Sequence, residues 1–417
     1  MRSFLSNYRY QIIIVFIGLI WITLLNALLQ IKDQHIIYPD SESYRQAADF
    51  FYHNFKAHYY RPIGMAVIFG LPYLFGGDDA AVFQFSFIIN ILSWLGAALI
   101  IFSFLKKYLS PNKALLFALL FYSVLGSVFI TFHLLTESIF TFLILLSFYF
   151  FDKYYTTKSF KYLSLALSLI IFSILIKPGA KFLAIVLVLF FSRELIKNYY
   201  RRGSILLYLS FALVIFHCVK MKQEYGNFTV SYIDGVTYYN YLGNTAMGLK
   251  TGDAFEEGKQ KRSDYIFSLS YPEQKEVASK DMMDQVKNNT VNLFKGYLLD
   301  IVENTKTPDD CINICRNIAG TSYFEGIKKA MIIVSKYQNR FFTVIGFILA
   351  LYYFFKSYKK PDIYTLISFY ILYTIAISGI SSHQGDRFHI VFFPFVIILI
   401  GKLYAEKYQK NILPDQQ

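Results

Sequence analysis

Long apolar runs, joined by short basic links and interrupted by two polar stretches, set the pattern of this chain. A run of about 20 apolar residues crosses a bilayer, and somewhat fewer suffice in packed bundles. Such runs recur at 11–31, 81–105, 114–133, 137–151, 162–177, 180–196, 204–220, 340–356, 363–382 and 389–405. They predict an all-α polytopic membrane protein of about ten transmembrane helices. The run at 62–75 is shorter and is broken by Pro62, Gly64, Gly70 and Pro72. It reads as an interfacial or re-entrant piece. The first run exceeds a signal-peptide core and no small-residue cleavage site follows it, so it predicts a retained helix.

Charge orients these spans. The net charge is +13, and the cations collect in short links: Lys106, Lys107 and Lys113; Lys153, Lys158 and Lys161; Arg193, Lys197, Arg201 and Arg202; Lys356, Lys359 and Lys360. Basic links of this kind lie on the cytoplasmic side, which puts both termini inside. Each cluster is short and lacks a folded platform, so the excess charge does not predict nucleic-acid binding. The bilayer is the expected partner, its anionic headgroups matching these links.

With that orientation, 32–80 and 221–335 face outward, dividing the chain into a module at 1–220, an outer segment at 221–335 and C-terminal helices at 336–417. In the outer segment 13 Lys/Arg stand against 15 Asp/Glu. Stretches such as KDMMDQVKNNTVNLFKGYLLDIVENT place apolar residues at steps of three and four. A small, mainly helical outer domain lying against the membrane is therefore expected. All seven histidines, at 35, 53, 58, 133, 217, 383 and 389, fall in outer loops or at outer helix ends. Cys311 and Cys315 also lie outside, but their spacing suits a disulfide poorly and no metal set accompanies them.

The first outer stretch, YPDSESYRQAADFFYHNFKAHYYRPIG, holds Asp40, Glu42, Tyr44, Asp49, His53, His58 and Arg61. Pro39 marks a helix start, and Tyr44, Ala47, Ala48 and Phe51 give that helix an apolar face. Two readings of Asp40 follow. It caps the helix, stabilising it by about 1 kcal/mol, or it faces the outer cavity as a general base.

The order of motifs resembles the GT-C superfamily of glycosyltransferases that use polyprenyl-phosphate sugars, whose relatives include protein O-mannosyltransferases and lipid A aminoarabinose transferases. DSE at Asp40–Glu42 is similar to the acidic motif of the superfamily's first outer loop, which carries the catalytic acid. LLTESIFTFLILL at 134–146 looks like its acid-bearing fourth helix, ILIKPGA at 174–180 like its basic-Pro turn, and SSHQGDRFHIVFFPF at 381–395 like its late polar loop. The outer segment at 221–335 is the least matched part. The resemblance implies an inverting transferase with its site on the outer face, in a bacterial inner membrane. Its donor is a lipid-linked sugar and its acceptor a hydroxyl on a glycan, lipid or protein.

The residue types suit that chemistry on their own terms. A sugar on a lipid phosphate arrives activated, and no Gly-rich nucleotide loop occurs on the cytoplasmic side. The hydroxyl needs a base, assigned to Asp40 with Glu42 beside it as the catalytic pair. The leaving phosphate needs fixed cations, for which Arg61, Lys177 and Arg387 are candidates. Tyr44, His58, His133, Glu137 and His383 complete the expected substrate-binding set. Simpler roles stand beside these: Lys177 snorkelling from a helix end, Arg387 pairing with Asp386, and Glu137 favouring its helix dipole. No cofactor is expected, and two carboxylates make a poor divalent-cation site.

Two other classes compete. An O-antigen polymerase or ligase shares the many spans and a large outer loop, but would use outer Arg and His without an early acidic loop. A lipid or polysaccharide exporter predicts ionisable residues lining a mid-membrane path, and the spans hold almost none.

Overall fold

A computed structural model describes residues 2–31, 38–382 and 386–412, with side chains between 8 and 407. The expected His35 and His383 lie outside the described residues. Among the described residues the chain is all-helical, without a strand. Apolar runs with few breakers leave helix as the only way to satisfy the backbone in an apolar setting.

In chain order the first part comprises α1 (Arg2–Leu29), α2 (Pro39–Asn54), α3 (Ile63–Phe69), α4 (Asp79–Leu105), α5 (Pro111–Tyr122), α6 (Leu125–Phe129), α7 (Glu137–Thr157), α8 (Phe160–Ser173), α9 (Ala180–Phe190), α10 (Ser192–Asn198) and α11 (Ile205–Tyr225). The outer segment forms α12 (Ile233–Asn240), α13 (Leu242–Thr251), α14 (Phe255–Phe267), α15 (Tyr271–Asn288), α16 (Thr290–Lys306) and α17 (Asp310–Asn313). The chain then continues through α18 (Phe324–Ser357), α19 (Ile363–Ser378) and α20 (Phe393–Ile412).

Among the described residues, four stretches are long and apolar enough to cross a membrane: Tyr8–Leu29, Asp79–Leu105, Arg202–Tyr225 and Phe324–Ser357. A fifth arises if Pro111–Tyr122 and Leu125–Phe132 are taken as one bent span. Exposed Phe16, Ile20 and Leu24 on α1, Ile205 and Ile215 on α11, and Phe347 and Ile348 on α18 suit lipid contact. The helices 160–173, 180–190 and 363–378 are apolar but shorter.

The run expected as one helix at 114–133 is bent by 72°. Ser127 Oγ donates to the carbonyls of Val124 (2.7 Å) and Phe121 (3.3 Å), adding to the backbone N–H bonds that both acceptors keep. Gly126 sits at the break, where a Cβ would stand 2.4 Å from Asp386 Oδ2 and 2.9 Å from Asp309 Oδ2. Only glycine permits that approach.

α18 is continuous across residues 335 and 336, where the outer segment was expected to end. At 1.5 Å per residue its 34 residues span about 51 Å, well beyond a hydrocarbon core of about 30 Å. One helix thus links the apolar bundle to the outer segment. The piece after Pro62 folds as α3 followed by a 3₁₀ turn at Leu71–Phe75, whose Leu71, Leu74 and Phe75 are exposed. Cys218, Cys311 and Cys315 are buried free thiols.

Candidate functional site

α2 begins as its sequence predicts, with Pro39 in its first turn and Asp40 and Glu42 beside it. The capping reading of Asp40 is corrected here. Tyr38 is the N-cap and no side chain caps the helix. Asp40 lies inside the first turn, and its carboxylate turns to two arginines. Arg61 Nη2 donates to Asp40 Oδ1 at 2.7 Å, and Arg387 Nη1 donates to Asp40 Oδ2 at 2.9 Å.

Each arginine is held by more than this bond. Arg61 Nε donates to Ser43 Oγ at 2.8 Å, and its guanidinium lies 4.3 Å from the Tyr44 ring centroid. Arg387 donates to Tyr38 OH at 2.6 Å and, through Nε and Nη2, to Glu137 Oε1 at 3.1 and 2.9 Å. Lys177 Nζ reaches the same Glu137 oxygen at 2.9 Å. Glu137 opens α7 and Lys177 follows α8, so segments far apart in sequence meet at one cluster. Arg387 pairs with Asp40 and Glu137 rather than with its neighbour Asp386, and Lys177 is bonded rather than snorkelling.

Electrostatics separates the members. Burial works against the charge on Asp40, but Arg61 and Arg387 outweigh it and hold the carboxyl well below the usual carboxylate range. The Asp40 side chain keeps 32% of its surface exposed, whereas Glu137 keeps 2%. Glu137 is thus the buried anchor and Asp40 the more exposed member. Removing one partner of a buried charge pair typically costs about 3–5 kcal/mol.

The other expected residues take different places. Glu42 faces away from Asp40 and binds Arg45, whose Nη2 lies 2.6 Å from Glu42 Oε1. His58 Nδ1 accepts from the backbone N–H groups of Tyr60 (3.1 Å) and Arg61 (3.2 Å), so it shapes the turn that presents Arg61. Burial, then the charge of Arg61, push the His58 pKa down to about 3, keeping the ring neutral. His133 is buried with its ring centroid 5.7 Å from that of Tyr38, and its carbonyl accepts from Asn90. Tyr44 OH lies 3.4 Å from Thr136 Oγ1, joining α2 to the start of α7.

Tyr38 and Ser43 were missed. The only signal for them is adjacency to Asp40, since neither residue type announces a role as a guanidinium acceptor. The struts behind the arginines were missed as well. Tyr225 OH donates to Ala57 O at 2.7 Å, Ser231 Oγ to Tyr60 O at 2.8 Å, and Tyr232 N to Tyr59 O at 3.1 Å. These bonds fix the approach to Arg61. Asn304 Nδ2 donates to Ser378 O at 2.8 Å and to Ser381 O at 2.5 Å, fixing the start of the loop that carries Arg387.

Behind Arg387, the carboxyls of Asp309 and Asp386 lie beside each other, an Oδ2 of each close to Gly126. Both are buried, and burial lifts each above the ordinary carboxylate range. Like charges this close in a buried place disfavour ionising both carboxyls. No group of three or more His, Cys, Asp or Glu suited to a metal ion occurs among the described residues. No protein-family model matches the chain, and comparison with curated proteins finds no match.

Proposed function

We propose that this chain is a GT-C-like inverting glycosyltransferase, with about ten spans and its site outside a bacterial inner membrane. It moves a sugar from a polyprenyl-phosphate carrier to a hydroxyl acceptor. The observation that carries this reading is the clamp on Asp40 by Arg61 and Arg387. A partly exposed carboxylate and two fixed guanidinium groups are the parts that such a transfer needs in one place.

The lipid phosphate offers its oxygens to Arg61 and Arg387, which can each bind it through a planar fork. Drawing either arginine away from Asp40 raises the basicity of that carboxylate. The acceptor oxygen then forms a bond to the anomeric carbon as the bond from that carbon to the phosphate oxygen breaks. The acceptor proton passes to Asp40, and the leaving phosphate carries its new charge onto the arginines. Attack opposite the leaving group inverts the anomeric centre. The base is thus weak until the donor is seated, which protects an activated sugar from water.

The test is transfer of radiolabelled sugar from polyprenyl phosphate by purified chain in nanodiscs. General-base assistance is typically worth about 10²–10⁴-fold, and Asp40→Asn removes it. Near-normal turnover by a folded Asp40→Asn protein would reject Asp40 as the base. Absence of transfer across a panel of lipid-phosphate sugars would reject the reading itself.

A further inference from the structure

α2 is two-sided. At about 100° per residue, Asp40, Ser43, Tyr44, Ala47 and Ala48 share one side, while Glu42, Arg45, Asp49 and His53 share the other. The first side meets the arginines and the protein interior. The second faces an open groove of about 810 Å³, lined by Glu42, Arg45, His53, Tyr73, Asp78 and Asp79. Nothing in the clamp on Asp40 uses these residues.

The groove wall is built rather than incidental. Arg45 binds Glu42 through Nε at 3.1 and 3.0 Å and through Nη2 at 2.6 Å, and reaches Asp79 Oδ2 through Nη1 at 2.8 Å. Tyr73 OH donates to Asp79 Oδ1 at 2.5 Å, and the His53 and Tyr73 ring centroids lie 4.8 Å apart. His53 Nδ1 is held 2.7 Å from Asp49 Oδ1. Asp78 caps α4, accepting from Ala81 N at 2.9 Å. The aromatic pair and the carboxylates are therefore held in place without a ligand.

Their chemistry names a ligand class. Among its lining residues, Glu42, Asp78 and Asp79 set three carboxylates against the guanidinium of Arg45 and the imidazole of His53. Glu42 and Asp79 keep 46% and 53% of their side chains exposed, leaving acceptor lone pairs open to the groove. Exposed carboxylates take hydroxyl and ammonium donors, and aromatic rings offer faces to the C–H surface of a sugar. An anion is repelled. The volume lies within the ordinary range for small-molecule sites, about 300–1,000 Å³.

We infer that this groove docks the acceptor: a neutral or amino-bearing polyhydroxylated chain, not a phosphorylated or uronic-acid one. The inference rests on the transferase reading and adds a division of labour to it. The cationic side of α2 receives the anionic donor and the acidic side receives the acceptor. The two meet at the first turn, where Asp40 and Glu42 stand two residues apart.

The test reads binding, without transfer, on the full chain in nanodiscs at low ionic strength. The probes are chitotriose, its fully de-N-acetylated cationic form, and trigalacturonic acid. Cationic trimer should bind at least tenfold more tightly than anionic trimer, with the neutral trimer between them. Glu42→Gln combined with Asp79→Asn should abolish that order, and Tyr73→Ala should weaken the cationic and neutral trimers. Tyr73→Phe retains the ring and should bind nearly as the parent does, controlling for folding. Binding should persist in Asp40→Asn, which separates the groove from the chemistry. Equal or tighter binding of the anionic trimer, no binding of any trimer, or an order that survives the double variant would overturn the inference. Transfer without groove binding rejects the groove alone; the expected binding order without transfer rejects the transferase reading alone.

Discussion

Arg387 Nη1 stands 2.9 Å from Asp40 Oδ2 although the two residues are 347 positions apart. The same guanidinium holds Glu137, so Arg387 bridges the starts of α2 and α7 through two separate faces of its fork. A point charge cannot do both.

Arg387→Lys tests this bridge. Lysine retains the charge but loses the planar fork, so it can keep only one of the two carboxylates and leaves the other to Arg61 or Lys177 alone. A melting temperature below that of the parent is expected, together with at least tenfold lower turnover in the donor assay. Parent-like values for both would reduce Arg387 to a background charge.

The depressed pKa of Asp40 gives a pH signature with a definite sign. Its folded value lies below the unfolded value of about 3.9, so its contribution to stability is complete above that unfolded value. The contribution is lost as pH falls through the folded value. Asp40→Asn should therefore lose less stability than the parent on acidification below about pH 4. At pH 6–8 the two should keep a constant offset. Melting curves over pH 3–8 measure the difference directly.

Asn304 offers a test that needs no substrate. Asn304→Ala removes two hydrogen bonds to the carbonyls of Ser378 and Ser381. Ser378 O keeps a bond from Ser381 N at 3.2 Å, so the larger loss falls on Ser381 O, where an unsatisfied buried acceptor costs about 1–3 kcal/mol. Amide exchange should quicken at 378–382 while α4 and α7 stay protected. Unchanged exchange there would mean that the loop is held by other contacts.

Orientation can be checked with single cysteines. Lys56 and Lys158 are exposed and Lys259 is half-buried, while native Cys218, Cys311 and Cys315 are buried and should react slowly. An impermeant thiol reagent should label Lys56→Cys and Lys259→Cys in intact spheroplasts but not Lys158→Cys. The opposite pattern would invert the proposed topology.

Hydropathy locates α1, α4 and α11 well, because long apolar runs leave few alternatives to helix. It misplaces the start of α18. Glu325, Lys328, Lys329, Lys336 and Arg340 make the first half polar, and only packing reveals that it continues the apolar half. The bend after α5 is hidden too: no proline marks it, and only the structure shows the Asp309 and Asp386 carboxyls packed against Gly126 at the break. At the site, Asp40, Arg61, Glu137, Lys177 and Arg387 are legible as unusual charges at helix ends. Their pairing is not legible, since a loop of 20 residues and one of 250 give no sign of meeting. Glu42 shows the opposite failure. Its place beside Asp40 suggests a shared role, but two residues on a helix turn about 200° and send the side chains apart.

The hydrogen bonds from Tyr225, Ser231 and Asn304 reach past the outer segment to the backbone on which Arg61 and Arg387 ride. Grafting a foreign 221–335 region onto this scaffold would therefore alter more than what the protein recognises. It would detune the clamp itself, so a chimaera must carry over the residues facing 57–60 and 378–381 together with the graft. A transplant that omits them should fold around a slack pair of arginines and fail with every acceptor offered.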